Sequence, residues 1–188
     1  MYKNGRRKPL AYRIRGGDEM TELPKRKSPR LMGYDYSSPG AYFITICTKD
    51  KRCILSDVVV GVGLAPPAVR LTAIGKTIDE QIKLLPTRYP SITIDKYVIM
   101  PNHVHILLSL REVPGGASPS PTVIDVVRAF KSLSTRLCRP RLGKKLLFQR
   151  SYHDHVIRNE QDYQRIWNYI DGNPGKWTED CFYPVEKV

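Results

Sequence analysis

The sequence predicts an α+β fold: an antiparallel sheet with helices packed on it, plus an added C-terminal helix that bears a tyrosine. Three observations predict it. Segments rich in β-branched and aromatic residues alternate with segments of helical period. They arrive in the order strand, helix, strand, strand, helix, strand, helix. The 188 residues suit one domain with extra arms, and an apolar fraction of 41% is enough for a core.

The elements follow in chain order. Residues 1–35 are basic, punctuated by Gly and Pro, and poor in apolar periodicity, which predicts a flexible arm ahead of a single domain over 36–188. "AYFITICT" reads as the first strand, and "VVVGVGLAPPAVRLT" as a connection or hairpin. Ile74, Ile78, Ile82 and Leu85 recur at helical spacing until "RYP" stops them. "SITIDKYVIM" and "HVHILLSL" read as strands joined by the turn Met100-Pro101-Asn102, and "REVPGGASPSP" as a loop. Thr122 can cap a helix whose apolar stripe is Val123, Val126, Val127, Phe130, Leu133 and Leu137. "LFQRSYHDHVIR" holds the last strand, and Asn159 caps a final helix that Asn173-Pro174 stops. The first six elements give the split βαβ arrangement of a ferredoxin-like sheet, with helices on one face.

Charge narrows the class. A net charge of +13 attracts polyanions, nucleic acid or an anionic membrane surface. The four cysteines are scattered without a CxxC pair, so neither a zinc ribbon nor a disulfide scaffold is expected. The N-terminus has no apolar h-region, and no run reaches transmembrane length. A cytoplasmic location is expected, with no membrane partner.

Half of the four histidines, His103 and His105, sit inside the apolar run "YVIMPNHVHILLSL". Residues i and i+2 of a strand share a face, so the two imidazoles project together and can share one metal ion. The plainer reading is a pair of partly buried histidines satisfied by hydrogen bonds. Against it, polar rings in such a run cost stability unless paired. His153 and His155 form a second such pair. Their neighbours Tyr152, Asp154 and Arg158 offer partners, which favours a structural or DNA-contacting role.

On the last helix, Tyr163, Ile166, Trp167 and Ile170 form the core stripe and Tyr169 falls at its edge. Asn173 lies one turn further on the same side. Taken by itself, this helix makes Tyr169 a flanking core aromatic.

Together the blocks "RLMGYDYSSPGAYFITICT", "YVIMPNHVHILL", "AFKSLSTR" and "YIDGNP" resemble, in order, those of single-tyrosine HUH transposases of the insertion-sequence type. The resemblance is nearest to the REP-associated tyrosine transposases and runs from about Arg30 to Trp177. It implies that His103, His105 and Asn173 bind a divalent metal, Mg²⁺ or Mn²⁺. It implies that Tyr169 is the nucleophile, cleaving and rejoining single-stranded or hairpin DNA through a 5′-phosphotyrosine. Two imidazoles and an amide add no charge, so Mn²⁺ is expected to bind better than Mg²⁺. A nearby metal and basic groups are expected to favour the phenolate. Arg128, Lys131 and Arg158 are expected on DNA phosphates from charge and position. Relatives of this kind occur as dimers and as monomers, so a homodimer and a monomer both stay open.

Two other functions remain at this point. One is a domesticated hairpin-DNA binder without turnover. The other is a metal-dependent phosphodiesterase without a covalent intermediate, with Asp154 or His155 as base.

Overall fold

A computed structural model describes residues 31, 33–59, 68–112 and 121–184. The reading of residues 1–30 as an arm, and of 113–120 as a loop, lies outside the described residues.

Four strands form one antiparallel sheet: β1 (Gly40–Cys47), β4 (Ile92–Ile99), β5 (His103–Leu110) and β6 (His153–Val156), in the order β4-β5-β1-β6. This is the ferredoxin-like order, in which β5 separates β1 from β4. A two-stranded hairpin, β2 (Ser56–Val59) with β3 (Ala68–Leu71), stands apart from the sheet.

The first core lies on one face, where Tyr42, Ile44 and Ile46 of β1 meet Val104, Ile106, Leu108 and Leu110 of β5. α1 (Ala73–Lys83) and α3 (Val123–Leu142) close it with Ile78, Ile82, Val126, Val127 and Phe130, and the short helix α2 (Leu85–Arg88) adds Leu85. β4 carries a bulge between Ile94 and Lys96. One extra residue shifts the alternation, so Ile92 and Ile94 before it share the core face with Tyr97 and Ile99 after it. Gly75 of α1 is a steric necessity, because a Cβ there would lie 1.9 Å from the Leu55 carbonyl oxygen.

α4 (Glu160–Gly172) covers the opposite face. Its Ile166 and Ile170 pack on Leu107, flanked by Phe43 and Val98. The caps fall where expected: the Thr122 hydroxyl accepts from the Asp125 amide at 3.2 Å, and Asn159 Oδ1 from the Asp162 amide at 2.8 Å. No helix among the described residues is long and apolar enough to cross a membrane.

One expectation needs correction. The α3 stripe does not continue through Leu133 and Leu137; Leu137 is 44% exposed, whereas Ser134, Cys138 and Leu142 are buried. The segment returning from α3 inserts Leu147 and Phe148 into the same core, where Phe148 meets Phe130 and where Cys138 and Leu142 are also buried. The last strand falls within "LFQRSYHDHVIR" as expected, with flanks on both sides. Only His153–Val156 pair with β1, and Phe148 makes an isolated bridge to Thr48.

Candidate active site

Alternation along β5 splits its residues between the two cores. Val104, Ile106 and Leu108 enter the first core, so His103, His105 and Leu107 face α4. Both imidazoles are buried, and their ring centroids are 4.5 Å apart.

Each ring is fixed through Nδ1. His103 Nδ1 is 2.9 Å from Asn102 Oδ1, and His105 Nδ1 is 2.8 Å from Thr45 Oγ1 on the adjacent strand. An amide oxygen only accepts, so His103 carries its proton on Nδ1 and leaves the Nε2 lone pair free. That Nε2 is buried and has no hydrogen-bond partner. Burial, only partly opposed by Asp180, lowers the His103 pKa to about 4. Burial, and then the charge of His103, hold His105 well below its ordinary value. Both rings are therefore neutral near pH 7, the form in which imidazole binds a metal.

α4 delivers two more groups. The Tyr169 hydroxyl lies 3.3 Å from His105 Nε2, and its ring stands edge-on to Phe43 at 6.0 Å between centroids. Tyr169 is 42% exposed at the edge of the α4 stripe. Asn173 forms the C-cap of α4 and is buried; its Nδ2 donates to Asp180 Oδ2 at 3.1 Å, and its Oδ1 has no partner.

The segment after α4, a 3₁₀ turn over Pro174–Glu179 and residues 180–184, folds across the histidines. Phe182 lies 4.7 Å and Trp177 6.0 Å from the His103 ring, centroid to centroid. Asp180 Oδ2 comes to 3.9 Å from His103 Nε2. One ligand atom each from His103, His105 and Asp180 falls within 4.8 Å of the others. A cleft of about 300 Å³ opens beside this cluster, lined by Tyr169, Asn173, Lys176 and Asp180 among others.

The donors suit a divalent cation. Two neutral imidazoles, one of them with an unprotonated Nε2, and a carboxylate converge there, and a buried amide oxygen without a partner belongs to Asn173, which bonds that carboxylate. Asp180 has no place in the sequence reading, since it follows the last helix and belongs to no periodic pattern. It places one carboxylate beside the two imidazoles. In the metal-free protein the pKa of the Tyr169 phenol is raised, first by burial and then by the nearby Asp180 and Cys181, with an opposing hydrogen bond from Asn173.

The remaining candidates lie elsewhere. Lys131 Nζ donates to the carbonyls of Gln149, Arg150 and Ser151, at 2.8, 3.0 and 3.1 Å, and so ties α3 to the returning chain. Arg128 pairs with Asp125 on the solvent side of α3, and Arg158 is exposed just after β6. His153 is exposed, and His155 Nε2 meets Asp162 Oδ2 at 2.6 Å, so among the described residues the second histidine pair joins no metal cluster. Asp154 points to the opposite face of the sheet, where it accepts from the Tyr36 hydroxyl.

Known proteins point the same way as this geometry. A protein of Haemophilus influenzae, described as uncharacterized, is 32% identical over 173 residues, covering 84% of this chain and 93% of its own length. No protein-family model matches. The fold also superposes on a REP-associated tyrosine transposase solved with a REP hairpin, with a TM-score of 0.53 and 25% identity over 73% of this chain and 68% of that one. The chain belongs to the same family as the Haemophilus protein and is REP-associated tyrosine transposase-like. Its activity is of the transposase or nuclease kind.

Proposed function

We propose that this transposase-like protein is a divalent-metal-dependent transposase and nuclease acting on single-stranded DNA. It cleaves and rejoins the strand through a 5′-phosphotyrosine on Tyr169, at palindromic hairpin elements. The observation that supports this most is the approach of the Tyr169 hydroxyl to His105 Nε2, 3.3 Å away, beside the orphaned His103 Nε2 and Asn173 Oδ1. The hairpin bound to the superposed transposase supports DNA of that form as substrate. The arm of residues 1–35 would add phosphate contacts to a single domain over 36–188.

His103, His105, Asp180 and Asn173 would hold the metal, Mg²⁺ or Mn²⁺. When bound, it supplies positive charge beside the scissile phosphate and the phenol oxygen. The chain's own groups set the rest. Asn102 and Thr45 orient the two imidazoles, and α4 carries the nucleophile and a ligand one turn apart. Attack by the Tyr169 oxygen forms a Tyr–O–P bond and breaks the bond from phosphorus to the 3′-oxygen. The phenol loses a proton to solvent and the 3′-oxygen departs as a hydroxyl. The covalent link conserves the phosphodiester energy for rejoining, so the reverse attack by a 3′-OH requires no nucleotide cofactor.

Incubation with labelled single-stranded hairpin DNA and Mn²⁺, followed by denaturing electrophoresis, tests this reading. The expected result is a protein–DNA adduct that disappears on chelation and in His103→Ala. Cleavage that persists after chelation, or that occurs without any adduct, would overturn it.

A further inference from the structure

We propose that the far end of α3 and the segment returning from it, residues 136–150, form a phosphate track that carries the DNA strand away from the cleft. The inference rests on the DNA-cleaving function proposed above and names the surface that function uses. From Val126 to His153, 28 residues contain eight Lys and Arg and no Asp or Glu. Six of the eight are exposed between Arg136 and Arg150: Arg136, Arg139, Arg141, Lys144, Lys145 and Arg150. None of these six meets a carboxylate among the described residues, whereas Arg128 is neutralised by Asp125 and Lys131 is occupied by three carbonyls. Like charges at this density repel one another, a cost that a polyanion laid along them removes.

Position decides which polyanion. The basic segment runs directly onto the strand end that carries the histidines. Lys49 N donates to the Leu147 carbonyl at 2.8 Å, and Gln149 N donates to the Cys47 carbonyl at 2.9 Å. Cys47 is the register partner of His103. Arg52 donates to the Leu146 carbonyl, joining the turn after β1 to the same ridge. That turn holds Asp50 and Lys51 in the left-handed region, at φ 60° and 52°, and the Lys51 ammonium reaches the Cys181 carbonyl at the site. Lys51 and Arg52 therefore stand between the covered histidines and the returning segment, whose exposed cations include Lys145, Lys144, Arg141 and Arg139. A strongly basic segment bonded to the strand end of a phosphate-cleaving centre fits a nucleic-acid backbone rather than a flat anionic membrane. Arg128, at the opposite end of the 20-residue α3, is not part of it.

The test is a full-length variant with Arg139→Gln, Arg141→Gln, Lys144→Gln and Lys145→Gln. Its partner is a control variant with Arg70→Gln, Lys76→Gln, Lys83→Gln and Arg88→Gln, four cations from the β2–β3 hairpin, α1 and α2. Affinity for a long single-stranded oligonucleotide is measured against salt, and adduct formation is measured on a short one spanning only the cleft. Four lost phosphate contacts should flatten the slope of log affinity against log salt by about 3, at roughly 0.7 per contact on single strands. The short oligonucleotide should still form its adduct within about twofold of the parent rate. The control variant should keep most of the parent slope. An unchanged slope, an equal fall in the control, or tighter binding to phosphatidylserine vesicles than to DNA through these four residues would overturn the track. A parent protein that forms no adduct while the slopes behave as stated would instead sink the cleavage reading and leave the track standing.

Discussion

Asn102 Oδ1 lies 2.9 Å from His103 Nδ1, while the same side chain's Nδ2 donates to the Phe182 carbonyl at 2.7 Å and to the Lys51 carbonyl at 3.3 Å. One fully buried amide thus fixes the tautomer of an imidazole and ties two loops around it. Partners of this type usually change metal affinity by about 10- to 100-fold when removed. Asn102→Asp keeps an acceptor for His103 but loses both donations; Asn102→Leu loses all three bonds. In ¹⁵N spectra of the metal-free protein, His103 should show its proton on Nδ1 in the parent and lose that single-tautomer signature in Asn102→Leu. Mn²⁺ affinity should fall with it. An unaltered tautomer in a folded Asn102→Leu protein would remove Asn102 from the site.

Acid should destabilise the metal-free fold. The folded pKa of His103 is about 4, whereas an unfolded histidine titrates near 6.5. Between those values the unfolded chain binds a proton that the folded chain refuses, so stability is complete above about pH 6.5 and declines as pH falls toward 4. His105, also lowered by burial, acts in the same direction. Urea unfolding at pH 7 and pH 5 measures this. The parent should lose on the order of 2 kcal/mol more than His103→Gln over that step. Equal losses in both proteins would mean that His103 is not held neutral by the fold.

Gly75→Ala should be among the worst single changes in the first core. Its Cβ would sit 1.9 Å from a backbone oxygen, which cannot rotate away, and overpacking of this sort costs about 1–3 kcal/mol or more. Gly172, the last residue of α4, has nothing within 4 Å of a built Cβ. There alanine should stabilise by up to about 1 kcal/mol through its better helix propensity. Denaturant midpoints of the two variants should move in opposite directions, and a stable Gly75→Ala protein would show that α1 does not pack this closely on Leu55.

The contrast between those glycines shows where sequence reading succeeds and where it stops. Periodicity places His103 and His105 on one face and Tyr169 at the edge of a stripe, because both follow from local geometry alone. Capping by Thr122 and Asn159 is equally local. Asp180 was not legible, since it reaches His103 only through a return of the chain after α4 that no period announces. The role of Lys131 was hidden for the same reason. Its carbonyl partners lie 18 to 20 residues away, and a lysine among other cations looks the same whether it meets phosphate or backbone. The bulge in β4 is a third case: the alternation of "SITIDKYVIM" announces a strand but not the extra residue that brings Tyr97 to the first core.

That placement of Tyr97 decides how the nucleophile is tested. Of the eleven tyrosines, Tyr97 is a close sequence neighbour of the histidine pair, six residues before His103. It packs on the first core, and its hydroxyl donates to Asp79 Oδ1 at 2.6 Å, behind the sheet from the imidazoles. Burial and that carboxylate both raise its pKa further above the ordinary phenol value. Tyr169 has the opposite circumstances: it is on the histidine face, at the mouth of the cleft, with a ligand candidate one turn away. Tyr169→Phe removes one oxygen from a half-exposed ring, so folding and DNA binding should stay within about 0.5 kcal/mol of the parent. The covalent adduct should vanish, while Tyr97→Phe should leave it in place at reduced protein stability. Mass spectrometry of the labelled peptide from the parent protein should map the nucleotide to the α4 tryptic fragment. An adduct that survives Tyr169→Phe, or a label on the β4 peptide, would end the assignment of Tyr169 as nucleophile.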